Sequence, residues 1–330
     1  MAKITTKTKR NLLIIGVVLA LLVVILLVYY LGASYPAFYS IAEKEFNIPG
    51  LNTSFTPQGL TYSEKYNKFL LCGYMNNGSP SRIYIVDKES NETSGYFTLT
   101  IEGSSYNGHS GGIATDGDYA WLSGEGTVYR FSLSSALSLE NAQSLEIIDS
   151  FETGNGADFL VTYQNKLIVG EFFHKIFFKT PKEHHIETAN KSINRALSFI
   201  YTINQDMPCG IEQAIPEAGI SMPSKVQGMS FTKNGNIILS TSYALSDSKL
   251  FIYENVLNSQ PTATASLSEN LTIPVYMLDS STLLETLTAP CMSEELVLVE
   301  GRVYILFESN CSKYRIFTRT RLSHVYSIDI

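Results

Sequence analysis

Residues 292–309, Met292-Ser-Glu-Glu-Leu-Val-Leu-Val-Glu-Gly-Arg-Val-Tyr-Ile-Leu-Phe-Glu-Ser309, contain two short apolar runs separated by a Glu-Gly pair. Such runs, rich in branched aliphatic residues and separated by two turn residues, are typical of a β-hairpin. The segment therefore predicts two antiparallel strands joined by a tight turn at Glu300-Gly301. Carboxylates stand at both outer ends of this hairpin: Glu294 and Glu295 before it and Glu308 after it.

The same pattern recurs four times upstream, each time as a short apolar run, a turn and a second apolar run. A hairpin that recurs every ~45–70 residues without a helical partner is typical of a β-propeller. We therefore predict an all-β propeller of five blades, with six blades as the alternative because residues 274–279 add one more strand-like piece. The inner strands of the five blades begin near Gln58, Gly111, Ala157, Gln227 and Glu294.

The two ends of the predicted propeller complement each other. Residues 43–49 look like a lone strand without a blade of its own, and residues 324–329 resemble the third strand of a blade. If the first strand supplies the outer strand of the last blade, no sheet edge stays open. We predict this ring closure.

The first part of the chain predicts a membrane anchor. Residues 11–31 are almost unbroken Leu, Ile and Val, which is long enough to span a bilayer, and the four cations Lys3, Lys7, Lys9 and Arg10 precede them. By the positive-inside rule we predict a cytoplasmic basic tail (residues 1–11), a transmembrane anchor (residues 12–33) and an extracytoplasmic propeller (residues 34–330), in a single-pass protein of the cell membrane. A cleaved signal peptide is the alternative.

Charge excludes one class of partner. The chain has a formal net charge of -7, and residues 1–34 contain cations but no acid, so the predicted propeller is more acidic than the whole chain. An acidic body is poorly suited to bind the phosphates of nucleic acids. We therefore expect the membrane and an unknown small molecule or protein as partners, and no nucleic acid.

A propeller brings polar side chains from every blade to one mouth of its channel, because the chain starts each inner strand and ends each second strand on the same face. The predicted ring of side chains at this mouth contains many carboxylates and amides. The first positions of the inner strands are Gln58, His109, Asp158, Gln227, Glu294 and Glu295, and the last positions of the second strands are Tyr74, Glu125, Glu171, Ser242 and Glu308.

Three functions fit this mouth. In the one that we favour, it binds a small ligand or a protein partner through Gln58, Tyr74, His109, Glu125, Gln227, Tyr243 and Arg315. In the second, the protein is a lactonase or esterase in which His109 acts as general base and Ca²⁺ is held by Asp158, Glu171, Glu294, Glu295 and Glu308. In the third, the mouth is solvated and the propeller is a scaffold.

Two insertions follow second strands. Residues 172–195 interrupt the third blade, and their aromatic start (172–178) would cap the channel, rest on the membrane or pack on the blade; packing is the simplest alternative. Three histidines of this insertion, His174, His184 and His185, predict a solvated loop rather than a zinc site. Residues 309–322 interrupt the fifth blade and are basic.

The chain has four cysteines, and a disulfide is permitted outside the cell. Cys291 precedes the fifth inner strand and Cys311 follows the second strand of the same blade, so both belong on one face. We predict a Cys291–Cys311 bridge.

Several motifs resemble a group of secreted or membrane-anchored bacterial propeller proteins, over most of residues 45–330. They are Pro57-Gln-Gly59, Gly108-His-Ser-Gly-Gly-Ile113, Val226-Gln-Gly-Met229, and Glu294-Glu295 with Phe307-Glu-Ser309 and Lys313-Tyr-Arg315. The resemblance implies a propeller at the cell surface. More remotely, the chain is similar to lactonase, paraoxonase and strictosidine-synthase-like propellers, typically six-bladed with a metal held by Glu, Asn and Asp near the axis; here Glu and Asp stand near the axis, and no Asn falls at a matching position.

Overall fold

The computed structural model describes residues 6–330 and divides the chain into two units, one ending at Pro36 and one spanning Ala37–Ile330. The first unit consists mainly of helix α1 (Thr6–Leu31). Its segment Lys7–Tyr30 is long and apolar enough to cross a membrane. The predicted anchor therefore lies on a continuous helix whose side chains from residues 12 to 28 are exposed. A short helix, α2 (Pro36–Tyr39), follows.

Five β-sheets of four or six strands follow one another along the second unit as the blades of a propeller, which confirms the predicted fold and the five-blade count. One strand, β1 (Ala42–Asn47), precedes the first blade. Blade one contains β2 (Phe55–Ser63), β3 (Lys68–Met75), β4 (Arg82–Asp87), β5 (Thr93–Ile101) and β6 (Ser104–Ser105). Blade two contains β7 (Gly112–Asp116), β8 (Tyr119–Gly124) and β9 (Thr127–Ser132), then helix α3 (Leu133–Leu137), β10 (Ser144–Glu146), which joins blade one, and β11 (Asp149–Glu152).

Blades three to five complete the ring, with three short 3-10 turns between strands at Lys182–His184, Pro208–Gly210 and Val256–Asn258. Blade three contains β12 (Phe159–Tyr163), β13 (Lys166–Gly170), the small hairpin β14 (Ile186–Glu187) and β15 (Ile193–Asn194), β16 (Ala196–Thr202) and β17 (Ala218–Met222). Blade four contains β18 (Val226–Phe231), β19 (Ile237–Thr241), β20 (Ser248–Tyr253) and, after the strands β21 (Ala263–Ser268) and β22 (Leu271–Met277), which join the sheet of blade three, β23 (Leu283–Ala289). Blade five contains β24 (Ser293–Val299), β25 (Arg302–Phe307) and β26 (His324–Ile328).

The inner strands β2, β7, β12, β18 and β24 pack around one axis, each between two others. The ring closes as predicted, because β1 pairs antiparallel with β26, with Ala42 opposite Ile328 and Asn47 opposite His324. This pairing covers the edge of the last blade with a strand from the start of the chain.

The extra strand-like piece does not form a sixth blade. Residues 274–277 belong to β22, which forms a hairpin with β21 and pairs in parallel with β17 of blade three, Gly219 facing Val275. The chain thus leaves blade four after β20, extends the outer edge of blade three, and returns to blade four with β23.

The hairpin at residues 292–309 forms as predicted. Its strands β24 and β25 meet at the pair Val299–Arg302. The two turn residues, Glu300 (φ 49°) and Gly301 (φ 83°), both adopt positive φ, the geometry of a type I′ turn, which matches the twist of the flanking strands.

Apolar side chains between adjacent blades form the core. Phe97 and Phe131 pack between blades one and two, and Phe159 and Met229 between blades three and four. Phe46 of β1 packs on Phe69, with 4.8 Å between ring centroids, and so joins blade five to blade one. Burial of these faces is the main force that holds the ring together.

Candidate functional site

Three inner strands contain a β-bulge where predicted mouth residues stand. In β2, β18 and β24, the antiparallel register with the next strand shifts by one residue near the start of the inner strand. A bulge leaves one residue out of the ladder and redirects its side chain. The residues inside the three bulges are Gln58, Gln227 and the pair Glu294-Glu295.

Glu294 and Glu308 form a buried acid pair at this end of the axis. Their side chains are hydrogen-bonded to each other and are 2% and 8% exposed. Gln58 Nε2 donates to Glu308 Oε2 at 3.0 Å, and Gln227 Nε2 donates to Glu294 Oε1 at 3.4 Å. These four side chains come from blades one, four and five, and we call them the mouth cluster.

The acid pair holds a proton near neutral pH. Burial raises the pKa of Glu294 well above its usual value, and the charge and hydrogen bond of Glu308 raise it further. Burial raises the pKa of Glu308 to about 7, against the opposing effects of the Lys313 charge and of the Gln58 and Glu294 hydrogen bonds. Ionisation of both carboxyls is unfavourable because they are close together and buried, so they share a proton in the hydrogen bond between them.

A rim of Tyr74, His109 and Lys313 stands beside the mouth cluster. Lys313 donates to the hydroxyl of Tyr74, and its Nζ lies 4.9 Å from the Tyr74 ring centroid. The rings of Tyr74 and His109 are 4.9 Å apart. His109 keeps a solvent-exposed edge, yet the protein packed around its ring, followed by the Lys313 charge, lowers the pKa of His109, while Glu125 raises it. His109 is therefore a neutral imidazole at physiological pH.

Glu295 differs from its neighbour Glu294 because its carboxylate lies at the propeller axis and accepts hydrogen bonds from other inner strands. Oε2 accepts from the backbone N–H of Leu60 at 2.7 Å and of Ile113 at 3.1 Å, and Oε1 accepts from that of Leu160 at 2.9 Å. These three donors belong to the inner strands of blades one, two and three. Burial raises the pKa of Glu295 well above its usual value, and the three N–H donors oppose this rise.

Glycines allow these strands to approach Glu295. A Cβ added to Gly59 would lie 2.9 Å from Oε2 of Glu295, one added to Gly112 would lie 2.7 Å from Oε1, and one added to Gly228 would lie 2.6 Å from Cα. Real Cβ atoms do not approach other heavy atoms so closely, so none of the three positions has room for a side chain next to Glu295 and the adjoining strands.

Asp158 and Glu171 anchor the insertion at residues 172–195. Asp158 Oδ2 accepts from the backbone N–H of Phe172 at 2.6 Å, and burial raises the pKa of Asp158 to about 6. Glu171 Oε1 lies 2.9 Å from His184 Nδ1 and accepts from the N–H of Leu197 at 2.9 Å. His184 is only 3% exposed. The prediction that this histidine is solvated was therefore wrong, because the loop folds back onto its own blade.

The five predicted metal ligands do not converge. Glu294 and Glu308 bond to each other, Glu295 to three backbone amides, Glu171 to His184, and Asp158 to Phe172. Within residues 6–330, no group of three or more His, Cys, Asp or Glu side chains is placed to hold a metal ion. The calcium site of the hydrolase hypothesis therefore stays a prediction that these contacts do not support.

The other predicted ligand-binding residues lie further out. Glu125 and Arg315 are exposed. Tyr243, in the connection between β19 and β20, lies under the insertion of blade three, where its ring stacks on His174 at 4.0 Å. Lys313, which touches both Tyr74 and Tyr314, was not among the predicted site residues. Its position depends on how the basic insertion folds, which repeat alignment does not reveal.

The predicted Cys291–Cys311 bridge is wrong, since all four cysteines are free thiols. The two side chains are both buried but have different surroundings. Burial raises the pKa of Cys291, which lies near Arg319 and Asp247, whereas Cys311 lies near Glu308 and Thr56, and burial raises its pKa too. Sharing a face of the propeller did not bring the sulfurs together.

A large cavity lies on the other side of the axial carboxylate. It has a volume of about 770 Å³, and its lining includes Leu60, Ile113 and Leu160, the residues whose N–H groups bond to Glu295. Its ionisable lining residues, among them Glu64 and Lys65, are exposed or half-buried. The mouth cluster, in contrast, contains two buried carboxyls with raised pKa values, and such groups often mark functional sites.

No protein-family model matches the chain, and neither does any curated protein sequence. Similar solved structures include hydrazine synthase from Kuenenia stuttgartiensis, at 9% identity and a TM-score of 0.39, covering 78% of this chain and 58% of that chain. A nidogen/laminin complex matches at 9% identity and a TM-score of 0.38, covering 77% of this chain and 73% of that chain. The Dos1 propeller matches at 11% identity and a TM-score of 0.35, covering 78% of this chain and 56% of that chain. The chain thus spans less than two thirds of the hydrazine synthase and Dos1 chains, and such remote similarity says nothing about activity. Sheet topology alone defines the class: a five-bladed β-propeller preceded by one apolar helix.

Proposed function

We propose that this protein binds a ligand through a cationic amine at the mouth cluster. The observation that supports this most directly is the buried pair of Glu294 and Glu308, which holds a proton near neutral pH. When both carboxyls are ionised, their negative charge has no partner in the pair, and an ammonium group would supply the positive charge that balances it. The Gln58 and Gln227 amides, already bonded to the two carboxyls, fix the orientation of the acceptor oxygens.

Lys313 supports an amine over other ligands. Its ammonium lowers the pKa of Glu308 and lies 4.9 Å from the Tyr74 ring centroid, so the site already accommodates a cation of the same chain. An aromatic face next to carboxylates is a favourable environment for ammonium and guanidinium groups. A ligand amine would replace the bridging proton and compete with Lys313 for the ring of Tyr74.

The hydrolase alternative receives less support. It requires carboxylates that share one cation, whereas the hydrogen bonds of these five carboxylates lead to separate partners. The lowered pKa of His109 suits a general base, yet the histidine ring packs against the ring of Tyr74. We therefore favour binding over catalysis, with a scaffold as the outcome if no ligand binds.

Amine binding should depend on pH. Because the ligand replaces a proton on a group whose pKa is about 7, the affinity should rise as the pH rises through 7 and level off above it. Thermal unfolding of the full-length protein with putrescine, agmatine or choline, at about pH 6 and about pH 8, would measure this effect. A ligand at 100 times its dissociation constant should stabilise the folded state by about 3 kcal/mol.

Variants identify the site. We expect Glu308→Gln to abolish both the stabilisation and its pH dependence, and Lys313→Met to strengthen binding by removing the competing ammonium. Glu300→Gln, in the exposed turn of the same hairpin, is the matched control and should behave like the wild type. Equal stabilisation of the wild type and Glu308→Gln by every amine would reject the site, and no stabilisation of either would favour a scaffold.

We also propose that helix α1 anchors the propeller in a cell membrane, with the propeller on the extracytoplasmic side. The length and composition of Lys7–Tyr30 support the anchor. The cations in the first turns of the helix, Lys7, Lys9 and Arg10, support the orientation, because they precede its apolar run.

A further inference from the structure

Both insertions end in exposed apolar tips. Large apolar side chains are normally withdrawn from water, and clusters of them on a surface mark an interaction site. The first tip is the turn at residues 176–178, closed by the bridge between His174 and Phe178, and the second is at residues 316–317. The exposed fractions are 70% for Ile176, 65% for Phe177, 51% for Phe178, 70% for Ile316 and 60% for Phe317.

The two tips flank one connection of blade four. His174, at the base of the first tip, stacks on Tyr243, with 4.0 Å between the ring centroids. Arg319, just after the second tip, forms an ion pair with Asp247 of the same connection. Both insertions also follow second strands and therefore leave the propeller on the mouth side. We call residues 174–178 and 313–321 together the apical loops.

Cations surround the apolar tips. Lys175 and Lys179 border the first tip, Arg315 and Arg321 lie close to the second, and all four are exposed. The rest of the propeller is acidic, so this concentration of positive charge is local. Aromatic and aliphatic side chains interleaved with Lys and Arg are the pattern of segments that lie in the headgroup region of a bilayer.

A bilayer is also within reach of the chain. Only residues 32–41 separate helix α1 from strand β1. At ~3.5 Å per residue even a fully extended linker of this length spans on the order of 35 Å. If α1 crosses a membrane, the propeller must stay near that membrane's surface.

We propose that the apical loops dock on an anionic lipid bilayer. The tips, Ile176 to Phe178 and Ile316 to Phe317, enter the boundary between headgroups and acyl chains, and the surrounding Lys and Arg bind lipid phosphates. Electrostatic attraction of this kind strengthens binding to an anionic surface and weakens with added salt. A lipid surface fits better than a protein, because two separated apolar tips ringed by cations require no matching pocket in the partner.

Tryptophan quenching by lipids with brominated acyl chains tests the docking. The native Trp121 is fully buried and hydrogen-bonded to the carbonyl of Cys209, so it provides an unquenched background. Full-length Phe177→Trp and Phe317→Trp proteins would be reconstituted in bilayers of phosphatidylcholine, with or without phosphatidylglycerol. Leu284→Trp, at a 52% exposed position on the outer strand of blade four, is the matched control.

We expect quenching at positions 177 and 317 well above that at 284, stronger with phosphatidylglycerol and reduced by salt. Replacement of Lys175 and Arg315 by Glu in the Phe177→Trp protein should reduce the quenching several-fold. Quenching at 177 and 317 no greater than at 284 would overturn the proposal and leave a protein partner as the occupant of the tips. Equal quenching with and without phosphatidylglycerol would contradict the proposal that Lys and Arg bind lipid phosphates. Amine binding at the mouth cluster is measured separately and does not depend on this result.

Discussion

At the scale of single residues, two adjacent glutamates have opposite roles. The repeat alignment predicted that Glu294 and Glu295 both stand near the axis, because both start an inner strand. It could not predict which one faces the mouth, since a bulge, and not the regular alternation of a strand, sets their directions. The sequence did contain a signal for the position of Glu295. The glycines of the Gln-Gly and Gly-Gly pairs, Gly59, Gly112 and Gly228, mark the points where other backbones approach this residue.

We predict that Glu295→Gln destabilises the protein by about 1–3 kcal/mol, because an amide nitrogen replaces an acceptor oxygen and leaves a buried backbone N–H without its bond. Glu308→Gln is the matched control. The raised pKa of Glu308, about 7, means that its contribution to stability is present at low pH and is lost as the pH rises from its unfolded value near 4.5 through 7. Above pH 7 this variant should therefore be as stable as the wild type or more so. Urea unfolding of both variants measures the difference, and an unaffected Glu295→Gln protein would contradict the axial role.

At the scale of elements, hairpins, ring closure and both insertions were predictable, because each depends on a local pattern of apolar and turn residues. The parallel pairing of β22 with β17 was not predictable, because it joins strands that are far apart in the sequence. The buried Glu171–His184 pair and the free thiols were missed for the same reason. Sequence places a residue on a face of the propeller, but packing decides its neighbours.

The closing strand β1 gives the second prediction. Phe46 is 2% exposed and packs on Phe69 of blade one, so its aromatic ring joins the last blade to the first. We expect Phe46→Ala to lower the free energy of unfolding by about 3–5 kcal/mol through loss of burial and a new cavity. Lys44→Ala, on the exposed face of the same strand, should change it by less than about 0.5 kcal/mol. Similar losses in both variants would show that strand pairing, and not this ring, closes the propeller.

At the scale of the whole molecule, charge and hydropathy are divided between the two units. The cations of the first ten residues precede the apolar run, and the acidic residues all follow it. Basic residues next to a membrane span favour the cytoplasmic side, whereas a long domain crosses largely regardless of its charge. The cations at the start of the chain therefore support the proposed extracytoplasmic side of the propeller.

We predict that protease added to intact bacterial spheroplasts that express the full chain digests a carboxyl-terminal tag. Before the protease is added, the protein should have its full mass, because α1 is not cleaved. Replacing Lys7, Lys9 and Arg10 by Glu should reduce the digested fraction severalfold, since it removes most of the charge that retains the amino terminus in the cytoplasm. A cytoplasmic marker protein must stay intact in the same sample. Protection of the tag until the spheroplasts are lysed would place the propeller in the cytoplasm, and loss of the first residues would identify α1 as a signal peptide.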